Sequence, residues 1–277
     1  SVLAWVVTPS GARMLVMPGG TDGYVVRRYD ANGQPVWSKR ISHPQLFMIN
    51  GYPAWVDWVY REQPFQSDGG EGLYFAHRGA RSFSQDGVGM DSTIMGTFVF
   101  RLDANGAQTQ AFEVRNFGIH PPENPWWYDD LINSKIVVQP DGSYHLINQK
   151  YGVVDQALQI QRFDAAGNHQ WTRLYHWPGQ PVSHGPMFDW GQYHEWFADG
   201  LGGLYVANHY ESMHMHIDAS GTCDWAKRFE VYGEPFLGND AHTVDPVTHD
   251  LISAGTWSDS FIQKTIVLRI STAGVLL

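Results

Sequence analysis

RRYDANGQPVW (27–37) is followed along the chain by FRLDANGAQTQ (100–110), QRFDAAGNHQW (161–171), MHIDASGTCDW (215–225) and LRISTAGVLL (268–277), five copies of one short pattern. Each copy is an alternating stretch, then D-A-x-G or its S-T-A-G variant, then a second alternating stretch. Three copies carry a Trp seven residues after the Asp. An Asp side chain can bond its own backbone two residues on, and a Gly supplies the positive φ of a tight turn, so the unit reads as a β-hairpin. Gly33, Gly106, Gly167, Gly221 and Gly274 fill the same slot. Asp30, Asp103, Asp164, Asp218 and Ser271 are spaced by 73, 61, 54 and 53 residues, a period suited to one four-stranded unit each, with insertions in the early ones.

A second pair of strands precedes each hairpin. KIVVQPDGSYHLINQ (135–149) aligns with AWVVTPSGARMLVM (4–17), and WFADGLGGLYVANHY (196–210) and HTVDPVTHDLISAGTW (242–257) repeat the scheme; SDGGEGLYFAHRG (67–79) supplies it less cleanly in the second unit. Apolar residues recur with period 2 nearly throughout, and no amphipathic helix of useful length is found. A four-stranded meander buries both faces only when stacked on copies of itself. The expected fold is therefore all-β: a single five-bladed β-propeller domain over 1–277 of four-stranded antiparallel blades, with approximate blades 1–41, 42–116, 117–177, 178–231 and 232–277. The last copy stops one residue before the slot of Trp37, Trp171 and Trp225, so blade five is expected to be incomplete. Such an edge invites pairing with a neighbouring subunit or with a continuation of the chain; a simply short outer strand is the alternative.

The hairpins YDANGQPVWSKRI, QRFDAAGNHQWTRLY and HIDASGTCDWAKRF resemble the bacterial β-propeller repeats of the SBBP type. They are also similar to the tryptophan-docking repeats of quinoprotein-like propellers, in which a Trp wedges between neighbouring blades. The resemblance covers the second half of every blade, with Gln110 in the Trp slot of the second. It implies a scaffold and little chemistry. The adjacent-cysteine pair that holds a quinone in such proteins has no counterpart, so neither a cofactor nor dehydrogenase activity is expected.

Composition narrows the partners. Of 277 residues, 43% are hydrophobic and 14% aromatic, ample for a large core. The formal net charge of -10 repels polyphosphate, so no nucleic acid is expected as a partner. The single cysteine, Cys223, excludes an intrachain disulfide and a Cys-based zinc cage. No run approaches the roughly 18 apolar residues that span a bilayer, so no membrane insertion is expected. Neither a phosphate loop ahead of a helix nor a G-x-S-x-G elbow is present.

In a propeller, the connections from one blade's outer strand to the next blade's inner strand gather on one face. Here these are 42–65, 117–134, 176–197 and 231–242, rich in Trp, Tyr, His and Pro. Loops are ordinarily polar, so aromatic loops point to a recognition surface for sugar rings or a protein, or to a cap folded over the central channel. The candidate ligand-binding residues are Trp55, Asp57, Trp58, Trp126, Trp127, Asp129, Asp130, Asp189, Trp190, His194, Glu195, Asp240 and His242; Tyr128, Tyr193 and Trp196 lie in the same stretches. His214 and His216 stand two apart on one strand, either as metal ligands or as surface imidazoles beside buried Met213 and Met215; no metal site is assigned.

The function expected from these features is a non-enzymatic binding or assembly module, extracellular, at the cell surface or displayed on a virion, recognising a glycan or protein through its aromatic loops. The alternative is a glycoside hydrolase using a carboxylate pair at the channel mouth. A third expectation is a purely structural subunit whose loops are buried against a neighbour.

Overall fold

The computed structural model describes residues 4–18, 23–42, 48–49, 52–53, 55–56, 65–83, 92–115, 130–151, 157–175, 194–208, 213–231, 234–235, 239–258 and 263–277. Every described element is a strand or a turn. The first sheet is β1 (Ala4–Val7), β2 (Arg13–Pro18), β3 (Gly23–Tyr29) and β4 (Pro35–Ser42), in that order. Two short pieces, β5 (Met48–Ile49) and β6 (Tyr52–Pro53), pair with each other. In the second sheet β7 (Trp55–Val56) and β8 (Phe65–Ser67) both pair with β9 (Leu73–Phe83), which is followed by β10 (Ser92–Leu102) and β11 (Gln108–Arg115). The third sheet is β12 (Asp130–Val138), β13 (Tyr144–Tyr151), β14 (Ala157–Phe163) and β15 (His169–Tyr175). The fourth is β16 (His194–Ala198), β17 (Leu204–Asn208), β18 (Met213–Ile217) and β19 (Cys223–Arg228). A two-residue pair, β20 (Glu230–Val231) with β21 (Glu234–Pro235), precedes the fifth sheet of β22 (Asn239–Val244), β23 (Leu251–Ser258) and β24 (Gln263–Ile270). Five antiparallel meanders in series make an all-β architecture consistent with propeller-like folds.

Two compact units emerge: Ser1–Gln170 with Leu174–Val182, and Trp171–Arg173 with Ser183–Leu277. In the first, the period-2 pattern works on both faces of the second sheet. Leu73 and Phe75 of β9, with Phe100 and Leu102 of β10, pack against Met14, Val16, Tyr24 and Val26 of the first sheet. Their intervening neighbours Tyr74, Ala76 and Val99 pack against Ile136, Tyr144, Leu146 and Phe163 of the third. A strand buried on both faces needs apolar residues at consecutive positions, which is why LYFA (73–76) is continuously apolar. Each large side chain so buried contributes about 1.5–3 kcal/mol. In the second unit Tyr205, Trp225 and Phe229 meet Leu251, Leu268 and Ile270 of the fifth sheet.

The hairpin corners share one hydrogen-bond scheme. The Asp30 N–H donates to the Gln34 carbonyl and the Gly33 N–H to the Asp30 carbonyl, while Asp30 Oδ1 accepts from the Asn32 and Gln34 N–H groups. Asp103, Asp164 and Asp218 repeat it, and at the fifth corner Ser271 Oγ accepts from Val275. At the third corner, Asn168 side-chain and backbone hydrogen bonds pull the exposed Asp164 below the usual carboxylate range.

The Trp slot is also used repeatedly. The Trp37 indole N–H donates to the Ala104 carbonyl of the second sheet's corner at 2.8 Å. Within the second unit, Trp171 donates to Ala219 at 3.0 Å and Trp225 to Thr272 at 2.8 Å. Gln110, whose amide takes the place of an indole, reaches the Ala165 carbonyl at 3.2 Å, so the departure from Trp keeps the contact. The φ of +70 to +82 at Gly106, Gly221 and Gly274 turns their Cβ-less faces to the rings: a Cβ at those positions would lie 3.1, 3.2 and 2.7 Å from the respective indoles.

Candidate functional site

The antiparallel meander sorts the connections by chemistry. In every sheet the short turns, Thr8–Ala12, Asp68–Gly72, Gln139–Ser143, Asp199–Gly203 and Asp245–Asp250 together with the D-A-x-G corners, cap one end of the strands. The segments that link one sheet to the next leave from the other ends and lie largely outside the described residues. Of the sequence candidates, Asp57, Trp58, Trp126, Trp127, Asp129, Asp189 and Trp190 lie outside the described residues, as do Tyr128 and Tyr193. Trp55, Asp130, His194 and Asp240 stand in β7, β12, β16 and β22, and their side chains lie outside the description. Trp196 is a strand residue of β16, buried, and belongs to the core rather than to a loop.

Glu195 and His242, 47 positions apart, meet in the second unit: His242 Nδ1 lies 2.9 Å from Glu195 Oε2. Register explains the contact. Glu195 faces Ala207 across β16 and β17, and Ala207 faces His214 across β17 and β18, so the three form a row on one sheet face. Between the two longer side chains stands the small Ala207, and the His242 ring from β22 lies 5.9 Å from the His214 ring. Phe197 lies 5.7 Å from His242 and Phe229 5.4 Å from His214, ring centre to ring centre. The His242 side chain is 0% exposed and that of Glu195 41%, so the carboxylate is the half of the pair that solvent and ligands reach. A carboxylate held by an imidazole is fixed in direction and can accept hydrogen bonds from a hydroxyl or amide.

One residue pair further along the same face, His216 makes a second polar cluster at the turn end. Its Nδ1 lies 2.8 Å from Asp224 Oδ2 and its Nε2 3.2 Å from Asp199 Oδ2, and the ring lies between Tyr205 and Trp225. Asp199 also accepts the N–H groups of Leu201 and Gly203. Burial alone would raise the Asp199 carboxyl; the bonds from His216, Leu201 and Gly203 outweigh it and hold the group below the usual range. His214 and His216 are both buried, which corrects the expectation of a surface-facing pair: their sheet face is covered, so they lie inside together with Met215 on the opposite face. They also engage different partners, and among the described residues no group of three or more His, Cys, Asp or Glu is placed to hold a metal ion.

The His216 cluster has counterparts that the sequence reading missed. Arg28, Arg101, Arg162 and Arg269 occupy the same place, two residues before the corner Asp or Ser. Arg101 donates to Asp68 Oδ2 through Nε and Nη2, Arg269 to Asp250 and Asp245, and Arg28 to Glu71. The signal was present as R/H-x-D in four copies and as R-x-S in the fifth, but its partner lies a strand or a sheet away. These clusters brace turns and are structural.

No family model matches the chain, and no curated protein matches it. Among solved structures it is similar to the polysaccharide lyase Uly1, at 11% identity and a TM-score of 0.44, over 99% of this chain and 71% of that one. It is also similar to a member of the DUF4221 family from Bacteroides vulgatus, at 12% identity and a TM-score of 0.46, over 98% and 78%. A third is virginiamycin B lyase from Staphylococcus aureus, at 10% identity and a TM-score of 0.36, over 98% and 91%. These are β-propeller-like proteins, and the likeness is one of fold.

Proposed function

We propose that the five sheets are the blades of a five-bladed propeller that serves as a non-enzymatic binding module, extracellular, at a cell surface or on a virion, and recognises a glycan or protein through its aromatic loop face. The observation that carries this reading is the sorting of chemistry between strand ends. At the turn end the carboxylates of Asp30, Asp103, Asp164, Asp199 and Asp218 are engaged by backbone N–H groups. At the loop end Glu195 presents a half-exposed carboxylate, anchored by His242, at the start of the strand that the WGQYHEWF stretch (190–197) enters. A directed acceptor in a stretch rich in aromatic residues suits sugar hydroxyls and C–H groups. The β22–β24 meander has three strands where the other four meanders have at least four, Leu276 bridges back to Ile270 beyond β24, and this edge is offered to a neighbouring subunit.

Glycan-array binding tests the reading. Retention of a glycan without released product is expected, with affinity weakened about tenfold in Glu195→Gln through loss of one charge-assisted hydrogen bond. A pH-dependent cleavage abolished by a single Asp→Asn change at Asp57, Asp129, Asp130, Asp189 or Asp240 would replace the binder with a glycoside hydrolase.

A further inference from the structure

Among the described residues, four of the five hairpin corners are occupied and one is open. At the second, fourth and fifth corners, Gly106, Gly221 and Gly274 are buried under Trp37, Trp171 and Trp225, and the carbonyls of Ala104, Ala219 and Thr272 receive the indole N–H. At the third, Gln110 reaches Ala165. The first corner, Ala31–Gln34, has the same turn, the same Asp30 bonding and the same φ of +80 at Gly33. Yet Ala31, Asn32, Gly33 and Gln34 are all exposed, a Cβ at Gly33 would meet nothing within 4 Å, and the Ala31 carbonyl receives no hydrogen bond among the described residues. The corner has the geometry of an indole dock and, among the described residues, holds no indole.

The occupied docks also specify what accompanies the ring. Two residues beyond each Trp stands a basic side chain: WSK (37–39), WTR (171–173) and WAK (225–227). Lys39 Cδ and Arg173 Cγ would lie 2.9 and 3.0 Å from a Cβ on Gly106 and Gly221, and Lys227 Nζ donates to the Gly274 carbonyl at 2.7 Å. Lys39 and Arg173 each sit 6.0 Å from the centre of their own Trp ring, a cation–π distance. Residues i and i+2 of a strand share a face, so Trp and the base together lie over the corner.

We propose that the Ala31–Gln34 corner is a docking site for an extended strand of a partner polypeptide bearing Trp-x-Lys or Trp-x-Arg. The indole lies on Gly33, its N–H donates to the Ala31 carbonyl, and the base covers the glycine carbonyl. This site stands at the turn end of the first sheet and is independent of the loop-end recognition proposed above.

The probe is a blocked synthetic peptide of residues 34–42, QPVWSKRIS, titrated into the 277-residue chain. Saturable amide shifts at Ala31, Asn32, Gly33 and Gln34 are expected by NMR, with binding weakened about tenfold or more when the peptide's Trp is replaced by Ala. Gly33→Asn in the protein is expected to abolish those shifts while moving Tm by no more than about 2 °C, because Asn tolerates positive φ and its Cβ enters open space. Gly106→Asn, which would strike Trp37, is expected to lower Tm by about 6 °C or more. Absence of saturable shifts at the corner, equal binding of the Trp-less peptide, or a Gly33→Asn protein as destabilised as Gly106→Asn would each overturn the proposal, the last by showing the corner already filled.

Discussion

Trp225→Ala lowers the stability of the chain by about 3–5 kcal/mol in urea or guanidinium unfolding, the range for removing a buried large aromatic side chain. The indole is 7% exposed and touches every neighbour that could report its loss: Tyr205, His216 and Phe229 around the ring, Gly274 beneath it and the Thr272 carbonyl at 2.8 Å. Gly274, beneath the ring at φ +70, carries no side chain that could fill the vacated space. Trp225→Phe separates the two contributions. It keeps most of the apolar contact but leaves the Thr272 carbonyl without its donor, at a cost of about 1–2 kcal/mol. A Trp225→Ala protein destabilised by less than about 1 kcal/mol would show that the corner contact does not hold the sheets together.

Asp199→Ala costs about 3 kcal/mol at pH 7, measured the same way. Asp199 is 2% exposed on its side chain and accepts the Leu201 and Gly203 N–H groups at 2.7 Å each, besides facing His216. Removing the carboxylate leaves buried donors without their acceptor, which is more costly than the net worth of the bonds themselves. The effect depends on pH with a definite sign. The folded carboxyl lies below its unfolded value, so the native state binds fewer protons and the contribution is full above about pH 4. It is lost as pH falls through the folded pKa. The stability gap between the parent and Asp199→Ala therefore narrows from pH 5 towards pH 2; a gap that widens on acidification would contradict the assignment. Asp199→Asn, which keeps an oxygen for the two N–H groups, falls between.

Much of the scaffold was legible because it is local. The D-A-x-G corners need only a side chain that bonds its own backbone and a residue that accepts positive φ, and the structure has both at each predicted place. The upstream turns, including the less clean Asp68–Gly72, follow the same logic. What escaped the sequence depends on pairing across strands. Arg28, Arg101 and Arg269 are ordinary polar positions in an alternating strand until Glu71, Asp68 and Asp250 are brought opposite them. His214 and His216 looked like a solvent-facing pair because alternation tells two faces apart without telling which is covered, and here both are. Glu195 and His242 were each singled out, but they lie 47 positions apart on different sheets, so their contact is visible only once the strands are placed.

At each dock the group that receives the incoming side chain belongs to the main chain. Ala104, Ala165, Ala219 and Thr272 each accept through the backbone carbonyl, so the side chain at that position, Ala three times and Thr once, is not what makes the bond. Adjacent modules therefore meet through an indole or amide on one side and a backbone carbonyl on the other, with a glycine at the facing corner wherever an indole lies on it. The 73- to 53-residue spread in spacing between copies shows that segments of unequal length fit this common joint.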